Sequence, residues 1–287
     1  MSTSLGTVLT AIVTPFDDDL AFDEEAFVDL MHHLAKHGSD GFVVCASTGE
    51  SATLDSAEHL RIIKLACENR PPGTTIVAST GSNNTRQACR MTERATEFGV
   101  DGVLSVTPYY NKPNRRGIVA HYREVAAATD KPVILYNIPS RVVLDLPNDF
   151  LAELAQIERI DYVKQANDDS LAPIDGLGVY AGNCGAFARV LDMGGCGGIV
   201  VSSHIAGDQM RRMVDEPDQR AAIDASLREL YDAIFLTTNP IPVKAALNML
   251  GHRVGRPRLP LVPADEAETA VIRTALEHLG LLEPAPA

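Results

Sequence analysis

Lys164 closes a short apolar run, Ile160-Asp161-Tyr162-Val163-Lys164, and Tyr136 closes an earlier one, Val133-Ile134-Leu135-Tyr136. If both runs are strands of one parallel barrel, an amine and a phenol meet at the same mouth. A lysine held among apolar groups tends to lose its proton, because desolvation disfavours the cation. The neutral amine can attack a keto carbon and form a Schiff base. A lone strand-end lysine is more commonly a solvated rim residue, so the reading depends on its company. The other lysines, Lys36, Lys64, Lys112, Lys131 and Lys244, fall on helices or loops and read as solvated surface.

Other apolar runs also end in polar clusters. Ala46-Ser47-Thr48-Gly49-Glu50-Ser51 follows one, and Thr107-Pro108-Tyr109-Tyr110-Asn111-Lys112-Pro113 follows another. Asn137-Ile138-Pro139-Ser140-Arg141 follows Tyr136, and Gly182-Asn183 follows Ala181. Together these hydroxyls, phenols and cations could bind a small carboxylate, form an imine and move protons. Each piece has a plainer use. Ser47-Thr48-Gly49 suits a turn and helix entry, or a carboxylate cradle of backbone N–H groups. Tyr109 and Tyr110 suit a packing pair. Arg141 is a surface cation or a bidentate carboxylate clamp. Glu50 suits a loop buttress as well as a titrating group.

The elements that must position these residues alternate along the chain. Strand-like runs cover Val8–Thr14, Gly41–Val44, Thr75–Ala78, Gly102–Val106, Val133–Tyr136, Tyr162–Lys164, Val179–Ala181 and Gly198–Val201. Helical stretches between them include Glu24–His37, Ser56–Glu68, Thr85–Glu97 and Ile118–Thr129. Asp55 with Glu58 reads as a capping box for the second helix. Alternating strands and helices imply a parallel sheet with right-handed crossovers. Eight units predict a closed (β/α)8 TIM barrel over residues 1–218. Chemistry in such barrels sits on the loops after the strands. An open doubly wound sheet is the alternative, but Thr14-Pro15-Phe16 follows the first strand where a glycine-rich turn is expected. Residues 219–287 read as a C-terminal helical extension, with helices over Gln219–Phe235, Ile241–Leu250 and Ala264–Leu279.

Composition narrows the partners. Hydrophobic residues at 45% and charged residues at 22% are ordinary for a globular chain. A net charge of −13 argues against a nucleic-acid surface. No apolar run reaches the roughly 20 residues that span a bilayer. Cys45, Cys67, Cys89, Cys184 and Cys196 are odd in number and lack a C-x-x-C pair, which predicts free thiols and a reducing cytoplasm. The first basic residue is Lys36, so no signal peptide is expected. The histidines show no metal-ligating spacing, and an imine-forming lysine needs no cofactor. Gly194-Gly195-Cys196-Gly197-Gly198 precedes a strand and reads as a tight turn, not a phosphate loop.

Taken together, five pieces in order resemble the pyruvate-dependent class I aldolase family that contains dihydrodipicolinate synthase and N-acetylneuraminate lyase. They are Ser47 to Leu54, Thr107 to Pro113, Tyr136 to Arg141, Asn239-Pro240-Ile241-Pro242-Val243-Lys244 and Arg258-Leu259-Pro260. The likeness runs from about Gly6 to Leu279. It implies that Lys164 forms the Schiff base with pyruvate and that Tyr136 shuttles protons. It implies a hydroxyl relay of Ser47, Tyr136 and a Tyr110 supplied by a neighbouring subunit. Thr48 and the backbone at Ile199 and Gly182 would meet pyruvate, and Arg141 the carboxylate of L-aspartate semialdehyde. The implied product is 4-hydroxy-tetrahydrodipicolinate of lysine and diaminopimelate biosynthesis. The implied assembly is a homotetramer, a dimer of dimers.

Some positions depart from the synthase pattern. Ser47 stands where threonine is usual, Ala46 where glycine is, and Asn183-Cys184 where an acidic pair is. Gln165 follows the lysine, as in the lyase branch. Two alternatives stay open: an aldolase of the same family acting on a sugar-derived 2-oxo acid, and a non-catalytic barrel that binds a metabolite. Ser51, Ala52, His59, Asn83 and Tyr109 match the family's lysine-inhibition site, whereas Ser56 and Gln87 replace its histidine and glutamate. Weak or absent inhibition by lysine is therefore expected.

Overall fold

A computed structural model describes residues 4–283; the final Pro-Ala-Pro-Ala of the chain lies outside them. The strands are β1 Val8–Ala11, β2 Gly41–Val44, β3 Thr75–Ser79 and β4 Gly102–Val106. They continue as β5 Val133–Asn137, β6 Ile160–Gln165, β7 Gly178–Ala181 and β8 Gly197–Val200. Each pairs in parallel with the next, and β8 returns to β1, closing an eight-stranded barrel. The (β/α)8 TIM barrel expected from the sequence is what forms.

Continuous burial explains why the strands read as unbroken apolar runs: barrel strands are covered on both faces. One face fills the lumen with Leu9, Val43, Val77, Leu104, Ile134, Tyr162, Tyr180 and Ile199. The other packs Val8, Val44, Val103, Leu135 and Val163 against the helical shell. Residues alternate between these faces with period two. Tyr136 and Lys164 share the parity of the lumen residues. Asn137 and Gln165 share that of the shell.

The shell helices are α1 Glu24–Lys36, α2 Ser56–Glu68, α3 Thr85–Glu97 and α4 Arg115–Ala127. After them come the short α5 Pro139–Val142, then α6 Asn148–Leu154, α7 Phe187–Asp192 and α8 Gly207–Asp215. Asp55 caps α2 by accepting from the backbone N–H groups of Ala57 and Glu58. The expected reciprocal half of a capping box is not there. The Glu58 carboxylate instead takes a two-pronged contact from Arg258, at 2.6 and 2.7 Å. A partly buried guanidinium outcompetes a backbone donor that solvent can satisfy. Gly197, at φ 123°, is the first residue of β8 after the glycine-rich turn, and a Cβ there would lie 2.0 Å from the Thr7 carbonyl oxygen.

The C-terminal segment carries α9 Arg220–Ser226, α10 Arg228–Ala233, α11 Ile241–Met249 and α12 Glu266–His278. The sequence predicted one helix over Gln219–Phe235; it is two, divided at Leu227. α12 opens with a true capping box of Asp265 and Glu268. Helix α11 is buried through Ile241, Val243, Lys244, Ala246 and Leu247. That burial places the residues ahead of it, Phe235 to Asn239, beside the barrel mouth.

Candidate active site

In the register of the barrel, Tyr136 on β5 stands opposite Lys164 on β6. The Lys164 ammonium nitrogen lies 4.4 Å from the centre of the Tyr136 ring, and the residue is only 4% exposed. Burial pulls its pKa down from 10.5 to about 7; the Arg141 cation acts in the same direction and Cys184 opposes it. Near neutral pH a large share of this amine is therefore uncharged, as a nucleophile needs to be. Burial pushes the Tyr136 phenol up to about 12, with Arg141 and a hydrogen bond to Ser47 pulling back. The phenol keeps its proton and so places no fixed charge beside the amine.

Around this pair lies a small cavity of about 50 Å³, lined by Ser47, Thr48, Tyr136, Arg141, Lys164 and Gly182, with further walls from Phe235 and Asn239. Ser47 and Thr48 come from the loop after β2, Arg141 from α5, and Gly182 from the end of β7. Gly182 is required there: a Cβ would lie 2.7 Å from that of Ala166 and 2.8 Å from the Gln165 carbonyl oxygen. Thr48 is held by Asn239, whose Nδ2 donates to its Oγ1 at 2.9 Å. Arg141 donates to the Asn239 carbonyl oxygen at 3.3 Å. Asn239 thus braces both prospective carboxylate-binding groups.

Two residues from the expected set stand apart. Ile199 is a buried lumen residue on β8 below the mouth, and its neighbour in the wall is Val201. Tyr110, at φ 70°, is 90% exposed and lines neither cavity at the mouth. Within one chain it does not reach the Ser47–Tyr136 pair.

The departures at Gln165 and Cys184 do not enter the cavity. Gln165 points into the shell, where its Oε1 accepts from Asn137 Nδ2 and from the Asn167 backbone N–H, both at 3.0 Å. The buried Cys184 sulfur accepts from the Ser202 N–H. Asn183 does line the cavity, with its amide donating to Asp168 at 2.9 Å. Lys244, expected on the surface, is buried against Glu50 with their charged atoms 2.6 Å apart. Its apolar helix was the missed signal, since Ile241-Pro242-Val243-Lys244-Ala245-Ala246-Leu247 offers no polar face. Nothing in the local pattern of Asn239 announces a brace, because its partner Thr48 lies far away in sequence.

A second cavity, about 270 Å³, adjoins the first and shares Ser47, Tyr136, Ile138 and Arg141 with it. Ser51, Ala52, Ser56, His59, Gln87 and Tyr109 line it. No carboxylate does. His59 gives its Nε2 to the Ser79 carbonyl oxygen at 2.8 Å, and burial lowers its pKa. Among the described residues no helix is long and apolar enough to cross a membrane.

A closed parallel barrel with an amine and a phenol facing each other at its C-terminal mouth defines a Schiff-base-forming lyase. The chain belongs to the dihydrodipicolinate synthetase family, whose sequence model matches residues 4–279. A relative from Synechococcus sp., described as 4-hydroxy-tetrahydrodipicolinate synthase, is 41% identical over 97% of this chain and 95% of its own length. The crystal structure of dihydrodipicolinate synthase from Cyanidioschyzon merolae with lysine bound is 34% identical, with a TM-score of 0.91, covering 97% of this chain and 99% of that one. The chloride-inhibited enzyme from Acinetobacter baumannii, complexed with pyruvate, is 33% identical, with a TM-score of 0.92, covering 97% and 100%.

Proposed function

We propose that this chain condenses pyruvate, held as a Schiff base on Lys164, with L-aspartate semialdehyde to give 4-hydroxy-tetrahydrodipicolinate in lysine and diaminopimelate biosynthesis. The observation that carries the reading is the Lys164 amine, buried to a pKa of about 7 beside the Tyr136 phenol.

The neutral Lys164 nitrogen adds to the keto carbon, and water leaves to give an iminium ion. A methyl proton is lost, and the iminium takes the electron pair as an enamine. The enamine carbon attacks the aldehyde carbon, whose oxygen takes a proton. The substrate amine then closes on the iminium carbon and expels Lys164. Ser47 and Tyr136 relay protons in these steps. Thr48 receives the pyruvate carboxylate. Arg141 receives that of the aldehyde, a charge-assisted contact roughly twice as strong as a neutral one. Gly182 and the Ile199 strand form the floor. Tyr110 of a second copy completes the relay in a homotetramer built from tight dimers, in the cytoplasm.

A sugar-acid aldolase gains nothing from Gln165, because that amide faces the shell. Borohydride with pyruvate is expected to add a reduced pyruvate mass at Lys164. Turnover with L-aspartate semialdehyde is expected to exceed cleavage of N-acetylneuraminate or 2-keto-3-deoxygluconate. The reverse order would assign the chain to the lyase branch, and absence of an adduct would leave a metabolite-binding barrel.

Inhibition by lysine is expected to be weak. The larger cavity offers an ammonium group no carboxylate, and its one charged wall is the Arg141 cation. Steady-state inhibition at low lysine concentration would contradict this.

A further inference from the structure

The loop that carries Ser47 and Thr48 is strained at both ends. Cys45 sits at φ 55° and Glu50 at φ 54°, left-handed values that a side chain disfavours. Such conformations persist only where the surroundings over-determine them. Part of the hold comes from the loop itself and from the residues after β1: the Ser51 N–H donates to the Ala46 carbonyl at 3.2 Å, and Gly49 gives its carbonyl to the Thr14 hydroxyl at 2.7 Å.

The rest comes from far along the chain. One Glu50 oxygen lies 2.6 Å from Lys244 Nζ. The other accepts the Arg258 backbone N–H at 2.8 Å. Glu50 is 0% exposed at its side chain and Lys244 1%. Lys244 also donates to the Arg256 carbonyl at 3.4 Å. The Phe16 ring lies 4.2 Å from Lys244 Nζ and 4.0 Å from the Arg258 guanidinium carbon. Neither Lys244 nor Glu50 lines the catalytic cavity or the larger one. A buried ion pair contributes little net stability over an apolar pair, so its geometry needs another explanation.

We propose that the Glu50–Lys244 pair is a positioning device that holds the β2 loop so that Ser47 and Thr48 meet the keto acid captured at Lys164. This rests on the function proposed above. The segment leading into α11 and the helix itself then grip the loop at two points: Asn239 fixes the Thr48 hydroxyl, and Lys244 fixes the strained end at Glu50. The pair acts through the loop and touches no substrate. It therefore governs the pyruvate side of the site, whereas Arg141 leans on the Asn239 carbonyl and not on the pair.

The test compares the parent with Glu50→Gln/Lys244→Met, which removes both charges and keeps an acceptor for the Arg258 N–H. We expect the double variant to melt close to the parent. We expect its kcat/KM for pyruvate to fall roughly 10- to 100-fold, the scale of a small misplacement of reacting groups. Pyruvate KM should rise and kcat fall, while the KM for L-aspartate semialdehyde and the pH midpoint of borohydride trapping stay put. Glu50→Gln alone carries the same expectations should the double variant not fold, because Lys244 beside a neutral amide can shed its proton. Unchanged pyruvate kinetics in the folded variant would overturn the proposal. So would a rise of both KM values in step with lost stability, the mark of a purely structural pair. A parent that gives no borohydride adduct would overturn the proposed function itself; a trapped parent with an unimpaired variant would overturn only the positioning role.

Discussion

The barrel holds two buried lysines in closely matched surroundings, for which we propose opposite uses. Lys164 lies 4.4 Å from an aromatic ring and Lys244 4.2 Å from another. Burial lowers both, to about 7 and about 8. The difference is the partner. Lys244 faces the Glu50 carboxylate, which raises its pKa against the burial. Lys164 faces a phenol and a cavity. A buried amine held by a carboxylate is suited to a clamp; one that faces a cavity without a carboxylate is suited to act as a nucleophile. Desolvation is common to both, so it is the neighbour and the access that separate structure from chemistry.

Methionine at each position should break the comparison most sharply. Lys164→Met is expected to abolish borohydride trapping and cut turnover by about 10⁴-fold or more, since no other group replaces the covalent step. Turnover within tenfold of the parent would remove Lys164 from the mechanism. Stability should move in opposite directions. The folded pKa of Lys164 lies below its ordinary 10.5, so between about 7 and 10.5 the unfolded chain binds a proton that the folded chain lacks. Stability then rises with pH across that window, and the full cost of burial is present below it. Lys164→Met removes the cost and should melt higher, most clearly at pH 7 and below. Lys244→Met strands Glu50 without a counter-charge and should lose on the order of 3–5 kcal/mol. Thermal melts of the two variants at pH 6.5 and pH 10 check both signs.

The contrast also shows what the chain discloses before it folds. Barrel strands are covered on both faces, so they stand out as apolar runs, and the polar residue ending each run marks the mouth. The placement of Lys164, Tyr136, Ser47, Thr48 and Arg141 at the mouth is legible for that reason, whereas their roles, and that of Gly182, follow from the resemblance. Period two even assigns Gln165 to the shell once Lys164 is given to the lumen. Lys244 reads as surface because its partner, Glu50, lies far away in sequence; the apolar helix around it signals burial, but the pairing exists only once α11 packs. The Asn239 contact to Thr48 is equally distant in sequence. The break at Leu227 had no glycine or proline to signal it. Tyr110 stands exposed on one chain, and its proposed place is at a contact between copies.

Arg141→Ala sharpens the comparison at smaller scale. Its guanidinium lines both cavities and leans on the Asn239 carbonyl. Loss of a charge-assisted contact to the aldehyde carboxylate should raise the KM for L-aspartate semialdehyde roughly 10- to 100-fold. Pyruvate trapping should persist. An unaltered aldehyde KM would move the second carboxylate elsewhere.

The smallest effect concerns pH, and it tests the distinction between the two lysines most directly. With Lys164 titrating near 7, kcat/KM for pyruvate should rise about tenfold per pH unit below that point and level off above it. Tyr136, pushed up to about 12, keeps its proton throughout, so no falling limb is expected from it below pH 10. Arg141 lowers the Lys164 pKa, so Arg141→Ala should move the midpoint upward. Glu50→Gln should leave it unmoved, because Glu50 bears on Lys244 and is not among the groups that shift Lys164. A midpoint that followed the Glu50 substitution would mean that the clamp and the nucleophile titrate as one system. The division of labour between the two amines would then be wrong.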